Sequence, residues 1–261
     1  MKAKKSYGQH FLTNEDLSER IANSLQLTNT YKKVLEVGPG QGMLTKYLIP
    51  QDFELVVVEA DRDMVFHLKK HYPALIGQII QEDFFLLLLD TFFKNESFGL
   101  IGNFPYNISS QILFKMLDYK AQIPEMVGMF QKEVADRVIA PPGSKTYGVI
   151  SVLIQAHYSG ELLFDVDKRN FNPPPKVQSA VIRLTRRDGF ELGCDPKLFK
   201  TIVKSTFSQR RKMLRNTMKA FSKDKAFLGN PFFTQRPEQL SLEDFIEVTK
   251  WVEAHRKELD N

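Results

Sequence analysis

Val34-Leu35-Glu36-Val37-Gly38-Pro39-Gly40-Gln41-Gly42 governs how the rest of the chain is read. Val34 to Val37 is a short valine-rich run ending against glycine, the pattern of a buried parallel strand. Glu36 to Gly42 then brings three glycines into a turn. There the missing Cβ lets the backbone bend tightly and approach a ligand. Gly42 to Ile49 reads as the helix that follows. Strand, glycine turn and helix in this order open an α/β unit.

The alternation continues outward. Leu55 to Glu59, Gly77 to Gln81, Gly99 to Gly102 and Met126 to Phe130 read as further strands. Arg62 to His71, Ile112 to Leu117 and Val149 to Tyr158 read as helices. Such alternation predicts a mainly parallel sheet. Val177 to Leu184 alternates as a strand after Pro173-Pro174-Pro175 and is expected to pair at one edge of the sheet. Beyond Asp188 strand signals fade. Phe199 to Phe207, Arg210 to Phe221 and Leu242 to His255 look helical, and Ser241 with Asp244 resembles a capping box for the last. The predicted division is an α/β domain over 1–188 and a small helical domain over 189–261, with the boundary near Arg187 to Gly189.

The 261 residues carry a net charge of +5 and 43% hydrophobic residues, ordinary for a globular protein. No apolar run reaches the roughly 18 residues of a membrane span. Lys2, Lys4 and Lys5 are followed by no apolar signal core. The single cysteine, Cys194, can form neither an internal disulfide nor a cysteine-rich zinc site. These features predict a cytoplasmic protein, and nothing demands more than a monomer. His67 and His71 are spaced i, i+4 without a Glu-x-x-His pattern, so they read as a solvated helix face and no metal is expected.

The glycine loop with Gly38 and Gly40 suits a nicotinamide dinucleotide and S-adenosylmethionine equally well. Glu59 ends the next strand, where an acid accepts hydrogen bonds from ribose hydroxyls. Asp83 ends the third, where it can accept from an adenine amine while Phe84 packs beside the ring. Open α/β sheets bind ligands at the carboxyl ends of their strands.

Asn103-Phe104-Pro105-Tyr106 follows the apolar strand Leu100-Ile101-Gly102. The exocyclic nitrogen of adenine is a poor nucleophile because its lone pair is delocalised into the ring. The Asn103 side-chain carbonyl and the backbone carbonyl of Phe104 or Pro105 can accept its two N–H bonds and draw the lone pair onto nitrogen. Pro105 fixes its own φ and restricts Phe104, which holds the acceptors in place. Tyr106 offers a stacking face worth about 1–3 kcal/mol.

Asn-x-Pro-Tyr after the fourth strand is similar to the motif of amino-group methyltransferases acting on adenine. Tyr7-Gly8-Gln9-His10-Phe11-Leu12, Gln131 to Arg137, Phe171 to Val181 and Phe207 to Asn216 narrow the resemblance to the ribosomal RNA adenine dimethyltransferases of the KsgA type. It spans nearly the whole chain. It implies a Rossmann-like class I methyltransferase fold, with a mostly parallel seven-stranded sheet and an antiparallel edge hairpin. It implies S-adenosylmethionine as cofactor, with His10 and Leu12 closing over it and Gly38, Glu59, Asp83 and Asn103 completing the site. Phe171 would stack on the target adenine opposite Tyr106. The implied substrate is a pair of adjacent adenines in the 3′-terminal hairpin of 16S rRNA in a maturing small ribosomal subunit. Some members carry Asn where His10 stands, and the residue after Asn103 varies.

Basic residues concentrate from Lys197 to Lys225. Arg210, Arg211, Lys212 and Arg215 form the densest group and, with Lys176 beside the proline triplet, are the expected RNA contacts. On a helix, Arg211 and Arg215 would share a face. The Lys2, Lys4 and Lys5 arm is a further candidate. The competing readings are a 23S rRNA methyltransferase, a ribosome assembly factor with little catalysis, and a nicotinamide dehydrogenase.

Overall fold

The computed structural model describes residues 9–260. The Lys2, Lys4, Lys5 arm and Tyr7-Gly8 lie outside the described residues. The strands are β1 (Phe11–Leu12), β2 (Lys33–Val37), β3 (Glu54–Val58), β4 (Ile79–Ile80), β5 (Phe98–Asn103), β6 (Glu125–Gln131), β7 (Tyr158–Val166), β8 (Phe171–Asn172) and β9 (Ser179–Arg186). The α-helices are α1 (Glu15–Ala22), α2 (Thr45–Leu48), α3 (Arg62–His71), α4 (Leu89–Phe92), α5 (Ser109–Asp118), α6 (Lys132–Ile139), α7 (Val149–Gln155), α8 (Pro196–Ser208), α9 (Leu214–Met218), α10 (Lys225–Leu228) and α11 (Leu242–Asp260).

Seven strands form one sheet in the order β4-β3-β2-β5-β6-β9-β7. The pairs from β4 to β6 are parallel, and β9 runs antiparallel to both β6 and β7. This is the parallel sheet with an antiparallel edge hairpin that the resemblance implies. The chain winds outward from β2 through β3 to β4, then returns to β5 on the other side. The carboxyl ends of β2 and β5 therefore meet at a switch in winding direction, where a crevice opens. Val34, Leu35, Val56 and Val57 are buried within the sheet, each worth about 1.5–3 kcal/mol of transfer free energy.

Two details differ from expectation. The helix expected to reach Tyr158 stops at Gln155, and Tyr158–Val166 is a strand. That strand takes the edge, so β9 lies one place inside it. Residues Ser159 to Glu161 of β7 are exposed, which removes the apolar run that would mark a strand. The Tyr158 hydroxyl fixes the start of β7 by donating to the carbonyl of Ile123 at 2.8 Å.

Contacts divide the chain into two compact units. One comprises Met1–Ala135 with Tyr158–Arg186, the other Asp136–His157 with Arg187–Asn261. The sequence reading draws a single cut near Arg187; the contact division also moves residues 136–157 into the helical unit. There α7 packs on α8, and Tyr147, Phe207 and Phe245 form a chain of ring contacts at 6.0 and 5.8 Å. Ser241 and Asp244 cap α11 reciprocally: the Asp244 N–H donates to Ser241 Oγ at 3.1 Å, and the Ser241 N–H to Asp244 Oδ2 at 2.9 Å. Among the described residues no helix is long and apolar enough to cross a membrane.

Candidate active site

The loops after β2, β3, β4 and β5 line one cavity of about 410 Å³ in the α/β unit. Gly38, Gly40, Glu59 and Asp83 contribute to its wall, as do Asn103, Phe104, Pro105 and Tyr106. Gln9, His10, Phe11 and Leu12 join them from the amino-terminal segment.

Gly40 has a φ of +55°, and a Cβ there would come within 3.1 Å of the Phe11 ring. The turn thus needs glycine for both its backbone and its clearance. The Gly40 N–H donates to Glu59 Oε2 at 3.1 Å, and the Asp61 N–H to Glu59 Oε1 at 2.9 Å. The Ala60 N–H also bonds the carboxylate, which keeps lone-pair capacity for a further donor. Burial raises the Glu59 pKa, opposed by the Asp61 and Gly40 N–H bonds. Glu36 also lines the cavity. Burial pushes its carboxyl up to about 8, against a hydrogen bond from the Thr45 hydroxyl at 2.7 Å; Glu59 adds to the rise. Asp83 is exposed, and its Oδ1 accepts the Phe85 N–H at 2.9 Å.

The Asn103 amide is oriented by its Nδ2, which donates to the His10 carbonyl at 3.2 Å and leaves Oδ1 as the acceptor. The Phe104 N–H donates to the Met129 carbonyl at 3.2 Å, and the Pro105 carbonyl accepts the Ile108 N–H at 3.2 Å. The Phe104 ring is 1% exposed and turns into the core. It rests over Gly102 and Gly128, which face each other in register across β5 and β6, and against Phe130 at 5.1 Å. Its bulk therefore anchors the loop to the core. The Tyr106 hydroxyl bonds Ser179 Oγ, and one face of its ring carries the His10 imidazole.

Gln9 to Leu12 are each tied to other segments. Gln9 Nε2 donates to Asp61 Oδ2 at 3.0 Å, and His10 Nδ1 bonds the Pro173 carbonyl at 2.8 Å. β1 pairs antiparallel with β8, with Leu12 opposite Phe171. Both side chains point into the core, at 3% and 4% exposure. Phe171, unlike Leu12, is not among the residues that line the cavity.

Lys176, Arg211, Lys212 and Arg215 are exposed. The stretch from Arg210 is not one helix. α8 ends at Ser208, Arg210 and Arg211 lie in a turn, and α9 begins at Leu214. The turn is held by Arg210, whose Nε donates to Glu238 at 2.7 Å and whose guanidinium reaches the Ser144 carbonyl at 3.2 Å. Arg211 and Arg215 consequently share no helix face.

Sequence reasoning misses two residues that shape the site. The Tyr72 hydroxyl donates to the Gly42 carbonyl at 3.1 Å behind the glycine turn. Glu36 reads in sequence only as part of that turn, although an acid inside an apolar strand is itself a signal.

The sequence model of the family described as ribosomal RNA adenine dimethylase matches residues 1–252. The chain belongs to that family. It is an rRNA adenine dimethyltransferase, and the Asn103–Tyr106 loop is the segment whose motif resembles that of amino-group methyltransferases. Among similar proteins, the ribosomal RNA small subunit methyltransferase A of Parabacteroides distasonis is 54% identical over 98% of this chain and 96% of its own length. That of Flavobacterium johnsoniae is 49% identical over 97% of each. The dimethyladenosine transferase of Plasmodium falciparum has the same fold, with a TM-score of 0.77 at 22% identity over 95% of this chain and 98% of that one. The 23S rRNA methyltransferase ErmE superposes with a TM-score of 0.67 at 25% identity, covering 92% of this chain and 99% of its own.

Proposed function

We propose that this dimethyltransferase uses S-adenosylmethionine to modify two adjacent adenines in the 3′-terminal hairpin of 16S rRNA, in the maturing small subunit in the cytoplasm. The cavity suits that cofactor: Gly38 and Gly40 leave room for its close approach, Glu59 keeps a lone pair for a ribose hydroxyl, and Asp83 keeps one carboxylate oxygen for the adenine amine. When bound, the cofactor supplies an activated methyl carbon.

The observation that carries the reading is the Asn103 amide, turned by the His10 carbonyl so that Oδ1 is left to accept. Oδ1 takes one N–H of the target amine. The Phe104 carbonyl takes the other, since the Pro105 carbonyl already closes the turn to Ile108. Two fixed acceptors localise the lone pair on nitrogen with little reorganisation. Tyr106 supplies the stacking face, and the base must leave its helical stack to reach it. Phe171, paired with Leu12 beside the cavity, is the residue proposed for the opposite jaw. Exposed Lys176, Arg211, Lys212 and Arg215 are assigned to phosphates, while Arg210 holds the turn that carries Arg211.

The small-subunit assignment rests on the names of the relatives at about half identity. It is tested by offering immature small subunits and naked 23S rRNA as methyl acceptors; preference for the latter overturns it. Asn103→Ala is expected to lower kcat by at least about 100-fold, the scale of losing one preorganised group, with RNA binding retained. Turnover equal to the parent's would remove the mechanism.

A further inference from the structure

Lys115 sits in the middle of α5 and is 9% exposed, at a position facing the interior beside Ile112 and Met116. A methionine or leucine there would avoid the cost of desolvating a charge. The ammonium is instead committed to one short loop. Nζ donates to the Phe84 carbonyl at 2.5 Å and to the Leu87 carbonyl at 2.6 Å, and lies 4.8 Å from the centre of the Phe84 ring.

Phe84 at the loop's base and Leu89 at its end are buried, but the tip between them packs little. Leu86 and Leu88 are 71% and 62% exposed and so contribute scant packing. Its first turn is closed by Asp83, whose Oδ1 accepts the Phe85 N–H and whose carbonyl accepts the Leu86 N–H, both at 2.9 Å. Asp83 and Phe84 are residues that this loop brings to the cofactor cavity. Clamping the carbonyls on either side of the Phe85-Leu86 tip fixes where Phe84 lies and where the remaining Asp83 oxygen points.

We infer that Lys115 is a positioning residue that holds the Asp83–Phe84 loop for recognition of the cofactor's adenine amine. The inference rests on the S-adenosylmethionine reading above. Lys115 touches no reacting atom. It acts on the discrimination of the nucleobase, through backbone carbonyls, from outside the methyl-transfer centre.

The test is calorimetric titration of the whole chain with S-adenosylhomocysteine and with S-inosylhomocysteine, which lacks the 6-amino group. The parent is expected to prefer the adenine compound by at least about tenfold, the scale of one hydrogen bond lost to a charged acceptor. In Lys115→Met the affinity for S-adenosylhomocysteine falls by about tenfold while that for S-inosylhomocysteine changes by less than about twofold, so the preference collapses. In turnover assays KM for S-adenosylmethionine rises by a similar factor and kcat at saturation stays within about twofold, as expected when only uniform binding is lost. Equal weakening of both compounds, or of neither, overturns the assignment. If the methionine variant does not fold, Lys115→Gln, whose shorter, uncharged side chain cannot reproduce both ammonium contacts, is read by the same two criteria. A parent that binds neither compound overturns the cofactor reading itself, a result distinct from a parent that discriminates and a variant that does so equally well.

Discussion

The imidazole of His10 lies against the ring of Tyr106, with centroids 5.4 Å apart and planes inclined by 25°. Its Nδ1 faces the Pro173 carbonyl at 2.8 Å, and a carbonyl can only accept, so Nδ1 carries hydrogen. The side chain therefore both orders the proline loop and backs the ring assigned to stack on the target base. His10→Ala is expected to lower kcat/KM for methyl incorporation by about tenfold, one net hydrogen bond. His10→Asn, which keeps a donor as some family members do, should stay within about threefold. Parent-like kcat/KM in the alanine variant would show that the backbone of this segment acts alone.

The Phe104 ring occupies a socket that exists only because residues 102 and 128 are glycine. A Cβ at Gly128 would fall 2.3 Å from Phe104 Cε2 and 2.6 Å from Phe130 Cε2. Neither ring can retreat inside a packed core, so Gly128→Ala should cost about 1–3 kcal/mol of stability, read from urea denaturation. The larger loss should be in kcat, because the displaced ring carries the Phe104 carbonyl with it. Destabilisation without loss of kcat would separate the socket from the chemistry.

The four clustered cations should divide into two groups. Arg210 is paired with Glu238 and bonded to the Ser144 carbonyl, with its side chain 34% exposed. Arg210→Ala should lower stability by no more than about 1 kcal/mol and leave the salt dependence of RNA binding unchanged. Replacing Arg211, Lys212 and Arg215 together should leave the melting temperature unchanged. It should reduce the slope of log K against log salt by about 2–3, near 0.7–0.9 per phosphate contact. Filter binding across a salt series checks both.

Glu36 links the cavity wall to pH. Its folded pKa stands at about 8 against an ordinary 4.5. The folded state therefore holds the proton more tightly than the unfolded chain. That contribution to stability is complete below pH 4.5 and is lost as pH rises to about 8. Glu36→Gln is neutral throughout and can still accept the Thr45 hydroxyl. It should match the parent near pH 4.5 and exceed it at pH 8 by on the order of 2 kcal/mol or more, since every tenfold difference in proton affinity between the two states is worth about 1.4 kcal/mol. Denaturant titrations at the two pH values decide it.

Much of the cavity is legible in the sequence because its chemistry is local. The glycine turn, Glu59, Asp83 and Asn103 each end or follow a strand, and parallel pairing brings strand ends together without further information. The partner of Phe171 is not legible, because its pairing with Leu12 joins residues far apart in sequence and no local pattern records it. The start of edge strand β7 reads as helix because its exposed residues interrupt the apolar run. The Arg210 turn reads as helix because the ion pair to Glu238 that holds it also lies outside the local pattern. Lys115 and Tyr72 act through carbonyls of distant loops, and a side chain that serves another segment's backbone leaves no motif.

Residues 136–157 join the helical unit although they precede the last three strands. Val152, Leu153 and Ile154 are buried, and α7 packs on α8, which follows the break at residue 187. Trimming the protein after residue 188 would strip α8 from its neighbour and leave a greasy scar on the surviving half. A chimera exchanging the tail between relatives has to transplant 136–157 with it.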